Sequence, residues 1–309
     1  MSTEHETKVE SEELVVAPID ERLYSLEPDE LEFFKSWTKI QDEEELKRHI
    51  LKSQADAYAV YPYPCIRRFS FTKLKISRFP AYQDLLQLGR ERPGALFIDL
   101  GCCCESEVGN DVRKAVADGF PVQQALASDL RPGFWEVGHQ LFKDTKETFP
   151  VPFIPGDVFD IKFVSDEPGK VETTTELPPL SSLINLTPLL GCLSAIHTSS
   201  FFHLFDEEQQ FHLAKKVASL LSAEPGSIIF GSHVGRFQKE YRTEVPVLGL
   251  PNQAMFCHCP ESWVEMWEKQ VFQEDEVRAW AMLHEVERHE FAPVIEGKYY
   301  LLVWSVTRL

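Results

Sequence analysis

The sequence predicts an α/β fold in which helices cover a mostly parallel sheet that ends in an antiparallel hairpin. From residue 95 onward, short apolar runs alternate with helical segments, and repeated strand–helix–strand units build parallel sheets with helices on both faces. The last two apolar runs, residues 278–286 and 299–306, have no helical segment between them, so we expect them to pair as a hairpin.

The first 90 residues have a different character from the rest. Residues 1–18 are rich in Glu, Ser and Thr, which predicts a disordered acidic tail. Helical patterns cover residues 28–58 and 79–89, the second with Gly89 placed to end it, and Tyr61–Pro64 forces an extended segment between them. We therefore divide the chain into a tail (1–18), an N-terminal helical lid segment (19–90) and a main α/β domain (91–309).

The main domain contains five further apolar runs that are short enough for strands. Strands are predicted at residues 95–100, 125–129, 153–158, 190–197 and 227–231. Helices are predicted at residues 110–117, 132–142, 206–221 and 260–270, and a polar surface loop at 160–179.

Charge and cysteine usage narrow the class of partner. The net charge of −18, from 31 basic and 49 acidic residues, argues against binding to nucleic acid, whose phosphates would repel this surface. The seven cysteines include the run Cys102–Cys104, which is poor material for a disulfide framework, and no apolar stretch is long enough to span a bilayer. These features predict a cytoplasmic protein without membrane insertion. Cys257-His258-Cys259 lacks the ligand spacing of a zinc site, so we expect no metal.

An acidic residue stands at the end of each of the first three predicted strands of the main domain. Asp99 and Gly101 close the first strand, Asp129 the second and Asp157 the third. Ligands of open α/β sheets bind outside the carboxyl ends of strands, and carboxylates there hold ribose hydroxyls. One such Asp is commonly only a turn residue, but three in strand order predict a ligand site.

The loop after the first strand argues against a dinucleotide cofactor. The dinucleotide fingerprint needs three glycines at G-x-G-x-x-G spacing, and only Gly101 is present. Glu105 and Glu107 in the same loop would repel a pyrophosphate, whereas a cationic sulfonium cofactor without phosphates fits them better.

Several short motifs occur along the chain: Tyr61–Ile66, Phe97–Cys103, Asp111–Lys114, Ser128–Leu130, Gly156–Phe159, Phe202–Phe205 and His258–Trp263. Together they resemble those of fungal secondary-metabolite methyltransferases of the meroterpenoid-pathway type. The similarity covers about residues 55–305 and implies a Rossmann-like, seven-stranded class I methyltransferase sheet, a helical lid and S-adenosylmethionine as cofactor. The loop from Cys104 to Val108 is longer than the family pattern by about three residues.

The resemblance assigns the cofactor to one group of residues and leaves the acceptor chemistry open. A hydroxyl acceptor needs a general base, for which we nominate His203 and His258, with His197 as a third choice, although each is commonly a structural histidine. A carboxylate acceptor needs no base, and Arg236 is our candidate to pair with it. The implied cofactor-binding residues are Tyr61, Tyr63, Asp99, Gly101, Cys102, Asp129, Leu130, Asp157 and Val158.

These observations predict an O-methyltransferase that acts on a carboxyl or hydroxyl group of a small hydrophobic secondary metabolite of terpenoid or polyketide type. Two alternatives remain: a non-catalytic binding protein that retains the fold, which the long loop after Gly101 keeps open, and an NAD(P)-dependent reductase. A homodimer is compatible with the sequence. The basic stretch formed by Arg67, Arg68, Lys73, Lys75 and Arg78 is more typical of a solvated face than of a site for an anionic substrate.

Overall fold

A computed structural model describes residues 18–102, 108–165, 177–242, 255–286 and 298–309. The predicted tail therefore lies almost wholly outside the described residues, as do most of the lengthened loop before Val108 and the middle of the predicted 160–179 loop. None of the helices in the described ranges is long and apolar enough to cross a membrane.

Seven of the described strands form one sheet with the order β3-β2-β1-β4-β5-β9-β8. The first five are parallel, whereas β9 is antiparallel to both β5 and β8. The strand order reverses between β1 and β4, which is the switch point where open α/β sheets bind ligands. The predicted fold class, including the C-terminal hairpin, is confirmed. The strands are β1 (Leu96–Leu100), β2 (Ala125–Asp129), β3 (Phe153–Pro155), β4 (Leu193–His197), β5 (Ile228–Val234), β8 (Val277–Val286) and β9 (Tyr299–Arg308), with a separate pair β6 (Glu240–Arg242) and β7 (Met255–Cys257).

Helices pack on both faces of this sheet. One face carries the N-terminal helices together with α5 and α6, and a stacked pair of rings, Phe34 and Phe142 at 5.3 Å, joins α1 to α6. The opposite face packs against α7 and α8. The helices are α1 (Pro28–Thr38), α2 (Glu43–Val60), α3 (Pro64–Arg67), α4 (Tyr82–Glu91), α5 (Asn110–Ala117), α6 (Pro132–Phe142), α7 (Glu207–Leu220) and α8 (Pro260–Glu265), which continues as a π-helical turn over Met266–Val271.

Local structure in the N-terminal part differs from the prediction at three places. The single helix expected over residues 28–58 is two helices, because Lys39 adopts a left-handed conformation (φ 61°) and Asp42 caps a new start. Only Tyr61–Tyr63 is extended, since Pro64 occupies the first position of α3. Gly89 lies inside α4 rather than ending it, and a Cβ there would approach the Phe120 ring to 2.6 Å. That glycine therefore permits close packing.

Candidate active site

Asp99, near the end of β1, is buried and joined to the last residue of β4. Asp99 and His197 face each other in the parallel register, and Oδ1 of Asp99 lies 2.8 Å from Nδ1 of His197. Because an ionised carboxylate only accepts hydrogen bonds, Nδ1 of His197 is the donor. The second ring nitrogen, Nε2, lies 2.9 Å from the hydroxyl of Ser199. His197 is therefore enclosed by its partners and is placed to hold Asp99 in position.

Several buried polar atoms near these strand ends have no hydrogen-bond partner among the described residues. They include Oδ2 of Asp99 and the hydroxyl of Ser128, which lie near the ends of β1 and β2, and the hydroxyl of Thr198, which directly follows β4. Buried polar atoms are nearly always paired in folded proteins, so unpaired ones at a switch point indicate a polar ligand. The carboxylate oxygen fits a cationic or N–H-donating group and disfavours a phosphate.

Gly101 turns the chain sharply at the start of the loop after β1. Its φ of 72° is in the left-handed region, and an added Cβ would lie 3.0 Å from the Phe201 ring, so only glycine fits without strain. The backbone amides of Gly101 and Cys102 both donate to the carbonyl of Ser128, at 2.8 and 3.2 Å. This bond pair ties the beginning of the loop to β2, and residues 103–107 lie outside the described ranges.

Asp129 lies beside the two tyrosines that the sequence assigned to the cofactor site. Its Oδ1 accepts from the backbone amide of Arg131 at 3.0 Å, and the Arg131 guanidinium covers the Tyr61 ring at 4.1 Å. Nε of Arg131 donates to the hydroxyl of Tyr63 at 3.3 Å. Leu130 is exposed between them. The structure thus brings Tyr61, Tyr63 and Asp129 together, which their separation in sequence did not guarantee.

The residues predicted at the end of β3 have two different environments. Asp157 is exposed and accepts from the amide of Phe159 at 2.9 Å, while Val158 is buried in the core beneath it. The amide of Gly156 donates to the carbonyl of Asp129 at 3.0 Å, which fixes the β3 turn next to the end of β2. The three acids therefore follow one another along neighbouring strand ends.

His203 and His258, the nominated general bases, lie in a buried aromatic cluster together with His233. The rings of His233 and His258 contact Trp263 at 4.5 and 5.2 Å, and His203 accepts from the amide of Val234. His233 alternates along β5 with Ser232, so its side chain is on the opposite face from that of Ser232. Sequence reasoning missed His233. A base role for His203 or His258 stays a prediction.

Burial controls the protonation of this cluster. Burial lowers the pKa of His233 well below its ordinary value, and the neighbouring His203 and His258 lower it further. For His258, burial and the positive charge of Lys239 lower the pKa from 6.5 to about 4. His233 and His258 are therefore neutral at neutral pH.

Replacing His258 with asparagine is expected to make the protein less sensitive to acid. The unfolded chain protonates His258 near pH 6.5 and the folded protein only near pH 4, so wild-type stability falls as the pH drops through this window. Urea unfolding between pH 7 and pH 4 should show a shallower decline for His258→Asn, with some slope left by His233. The exposed His212→Asn is the control, and an unchanged slope in His258→Asn would contradict this account.

Arg236, the candidate partner of an acceptor carboxylate, and the Cys257–Cys259 segment both make local contacts. Arg236 forms an ion pair with Glu240, with 2.6 Å between the guanidinium NH1 and Oε1. In the Cys257–Cys259 segment, the sulfur of Cys259 accepts from the amide of Ser262 and caps α8. Within the described ranges, no group of three or more His, Cys, Asp or Glu side chains is arranged to hold a metal ion.

A cavity of about 540 Å³, which the sequence did not predict, lies between the N-terminal segment and the β8–β9 hairpin. Its apolar wall comes from the hairpin, and no carboxylate is among the described residues that line it. The lining is therefore basic, although the chain as a whole has a net charge of −18. We call it the basic pocket. Its cations are Arg68, Lys73, Lys75 and Arg78, and its apolar side chains include Met282, Val286, Leu301 and Val303.

The basic pocket adjoins the ends of β4 and β5. The ring of Phe79, which lines the pocket, lies 5.7 Å from the ring of His197. Ser232, also at the wall, donates its amide to the hydroxyl of Ser199 at 3.3 Å. Lys73 pairs with Glu30 at 2.8 Å and Arg78 with Asp29 at 2.5 Å, and neither acid lines the pocket. The pocket therefore lies next to His197, the residue that is hydrogen-bonded to Asp99.

The strand order and the acidic strand ends define the chain as a class I methyltransferase fold. A family model described as the meroterpenoid methyltransferase N-terminal domain matches residues 19–72. The chain is 34% identical over 235 residues to the asnovolin E/chermesin D methyltransferase nvfJ of Aspergillus novofumigatus, covering 76% of this chain and 73% of that protein. It is 32% identical over 246 residues to the O-methyltransferase phiE of a fungal species (strain ATCC 74256), covering 78% and 70%.

The chain therefore belongs to the family of fungal secondary-metabolite methyltransferases. Among solved structures, an S-adenosylmethionine-dependent methyltransferase from Methanosarcina mazei aligns with a TM-score of 0.47 and 11% identity, over 75% of this chain and 98% of that one. That likeness is too distant to bear on chemistry.

Proposed function

We propose that this chain transfers the methyl group of S-adenosylmethionine to an oxygen of a small hydrophobic secondary metabolite, and that a carboxylate is the preferred acceptor. The observation that carries the proposal is the basic pocket beside the acidic strand ends. The relatives phiE and atr3 are named O-methyltransferases, which supports oxygen as the acceptor atom. The cytoplasmic location and the homodimer stay predictions.

The strand ends have the donors and acceptors that this cofactor requires. The unpaired carboxylate oxygen of Asp99 fits the cationic methionine end, and Asp129 fits the two ribose hydroxyls. Tyr61, Tyr63 and the exposed Leu130 provide flat and apolar surfaces beside Asp129 for the adenine ring. Among the described residues here, the acids Asp99, Asp129 and Asp157 outnumber the one nearby cation, Arg131, and this charge does not suit a pyrophosphate.

The acceptor chemistry follows from charge and burial. When bound, S-adenosylmethionine supplies a methyl group on a positively charged sulfur, and in-line attack by oxygen breaks the carbon–sulfur bond and leaves a neutral thioether. The basic pocket attracts an ionised acid, and its apolar wall binds the rest of the molecule. An ionised carboxylate is already a nucleophile, so the protein has only to orient it and exclude water.

Reversing one charge in the basic pocket is expected to weaken acceptor binding selectively. Lys75→Glu should raise the KM for an acidic acceptor by about tenfold to a hundredfold, since it replaces an attraction with a repulsion in a partly buried site. The KM for S-adenosylmethionine should change little. Lys146→Glu makes the same charge change at an exposed position outside the pocket and is the matched control. Equal effects of the two variants would contradict the assignment of the pocket.

The reaction itself is tested with tritium-labelled S-adenosylmethionine and two sets of acceptors, hydrophobic carboxylic acids and phenols of similar size. We expect label to enter the organic phase with the acids, and mild alkali to release it as methanol, because esters hydrolyse under conditions that leave ethers intact. Alkali-stable label with the phenols alone would make a hydroxyl the acceptor. Cofactor binding without transfer to either set would contradict the proposed activity.

A further inference from the structure

The first turn of α5 makes two long-range hydrogen bonds to the segment that lines the basic pocket. Nδ2 of Asn110 donates to the carbonyl of Lys73 at 2.6 Å, and Oδ1 of Asp111 accepts from the amide of Ile76 at 3.1 Å. Both side chains are fully buried. Lys73 and Ile76 bracket Lys75, so the two bonds fix the backbone on both sides of a pocket cation.

These contacts are not the ordinary use of such residues. Asn and Asp near a helix start commonly bond amides of their own first turn, but the N-cap of α5 is Gly109 and no side chain caps this helix. Burying a carboxylate has a large energetic cost unless it is paired, and Asp111 also lies 3.9 Å from Nε2 of His197. Both polar side chains therefore bond the segment that lines the pocket.

The same turn also connects to the cofactor side of the site. Asp111 approaches His197 from one side while Asp99 bonds it from the other at 2.8 Å. The turn begins directly after the loop that follows β1. Its position between the strand ends and the pocket means that its side chains determine where the pocket cations stand relative to the strand ends.

We propose that Asn110 and Asp111 are positioning residues that hold the segment 73–78 in place and so determine acceptor binding. The inference rests on the proposed function, in which the basic pocket binds the acceptor. Neither residue contacts the acceptor itself, and each acts through the backbone of the pocket segment.

The test measures two affinities in each variant of the full chain. The affinity of the pocket is measured with 1-anilinonaphthalene-8-sulfonate, an apolar anion whose fluorescence reports binding. Displacement of this probe by dodecanoate shows that an apolar carboxylate competes for the same pocket. Cofactor affinity is read by calorimetry with S-adenosylmethionine. Asn110→Ala and Asp111→Ala should each lower the affinity for the probe by about tenfold, which is the effect of one lost buried hydrogen bond. The affinity for the cofactor should stay within about threefold of the wild-type value.

A conservative variant separates positioning from general damage. Asp111→Asn keeps an oxygen that accepts from the amide of Ile76, so it should restore nearly wild-type probe affinity. The control is Asp118→Ala, which removes a hydrogen bond from Tyr82 and an ion pair with Lys114 at the other end of α5 and should leave the probe unaffected.

Unchanged probe affinity in Asn110→Ala and Asp111→Ala, or an equal loss of probe and cofactor affinity, would overturn the inference. Absence of cofactor binding in the wild-type protein would instead overturn the proposed function. The two failures are distinguishable because the probe titration does not require the cofactor.

Discussion

Arg113→Met should lower the free energy of unfolding by about 3–5 kcal/mol, the usual consequence of removing one partner from a buried ion pair. Arg113 is fully buried, and its guanidinium donates to both carboxylate oxygens of Asp144 at 2.7 and 3.0 Å. Burial raises the pKa of Asp144, but hydrogen bonds from His139 and Arg113 outweigh burial and lower it. Without Arg113, the Asp144 carboxylate would lose its charged, doubly hydrogen-bonded partner and keep only His139.

The aromatic surroundings make this arginine hard to replace. Its guanidinium stands over the rings of Trp135, Phe142 and Phe149 at 4.6 to 5.0 Å, so lysine would lose both the planar stacking and the paired hydrogen bonds. Urea unfolding measures the effect. The double variant Arg113→Met with Asp144→Leu should recover a large part of the loss, because it also removes the buried carboxylate. A single-variant loss below about 1 kcal/mol would contradict this account.

Asp129→Ala should weaken S-adenosylmethionine binding by at least about a hundredfold. Two hydrogen bonds from ribose hydroxyls to a carboxylate are worth roughly 3 kcal/mol together, and 2.7 kcal/mol corresponds to about a hundredfold in affinity. The Arg131 amide already orients the Asp129 carboxylate, so little reorganisation accompanies binding. Calorimetry measures the dissociation constant.

Asp160→Ala is the matched control for Asp129. Asp160 is an exposed turn acid that accepts from the amide of Lys162 at 2.9 Å, which is the same local geometry without a place at the strand ends. Its removal should leave cofactor affinity unchanged. Similar losses in both variants would mean that turn stability, and not ribose binding, explains the effect of Asp129.

Much of the sheet and the acidic strand ends could be predicted because both depend on local sequence. Short apolar runs that end in Asp99 and Asp129 carry the strand signal and the site signal in the same few residues. The C-terminal hairpin was predictable because no helical segment separates its strands. Because β1, β2 and β3 are neighbours in the sheet, the acids near their ends lie next to one another.

The acceptor side of the site depends on contacts between distant segments, which the sequence does not display. The basic stretch that we interpreted as a solvated face supplies four residues to the wall of the basic pocket, and only packing against the β8–β9 hairpin reveals it. Arg113 escaped notice because arginine is ordinarily exposed, and its aromatic neighbours come from α6 and the segment that follows. His233 was missed because the predicted fifth strand ended at residue 231, whereas β5 continues to Val234.

Calorimetric titration of the wild-type protein with S-adenosylmethionine and with its demethylated product, using NAD⁺ as the control, tests the central claim most directly. The account predicts saturable binding of the first two in the micromolar range and none of NAD⁺, because acids stand at the described strand ends, where they would repel a pyrophosphate. Failure to bind S-adenosylmethionine would contradict the account and favour a binding protein that retains the fold. Saturable binding of NAD⁺ would also contradict the account and would favour a reductase.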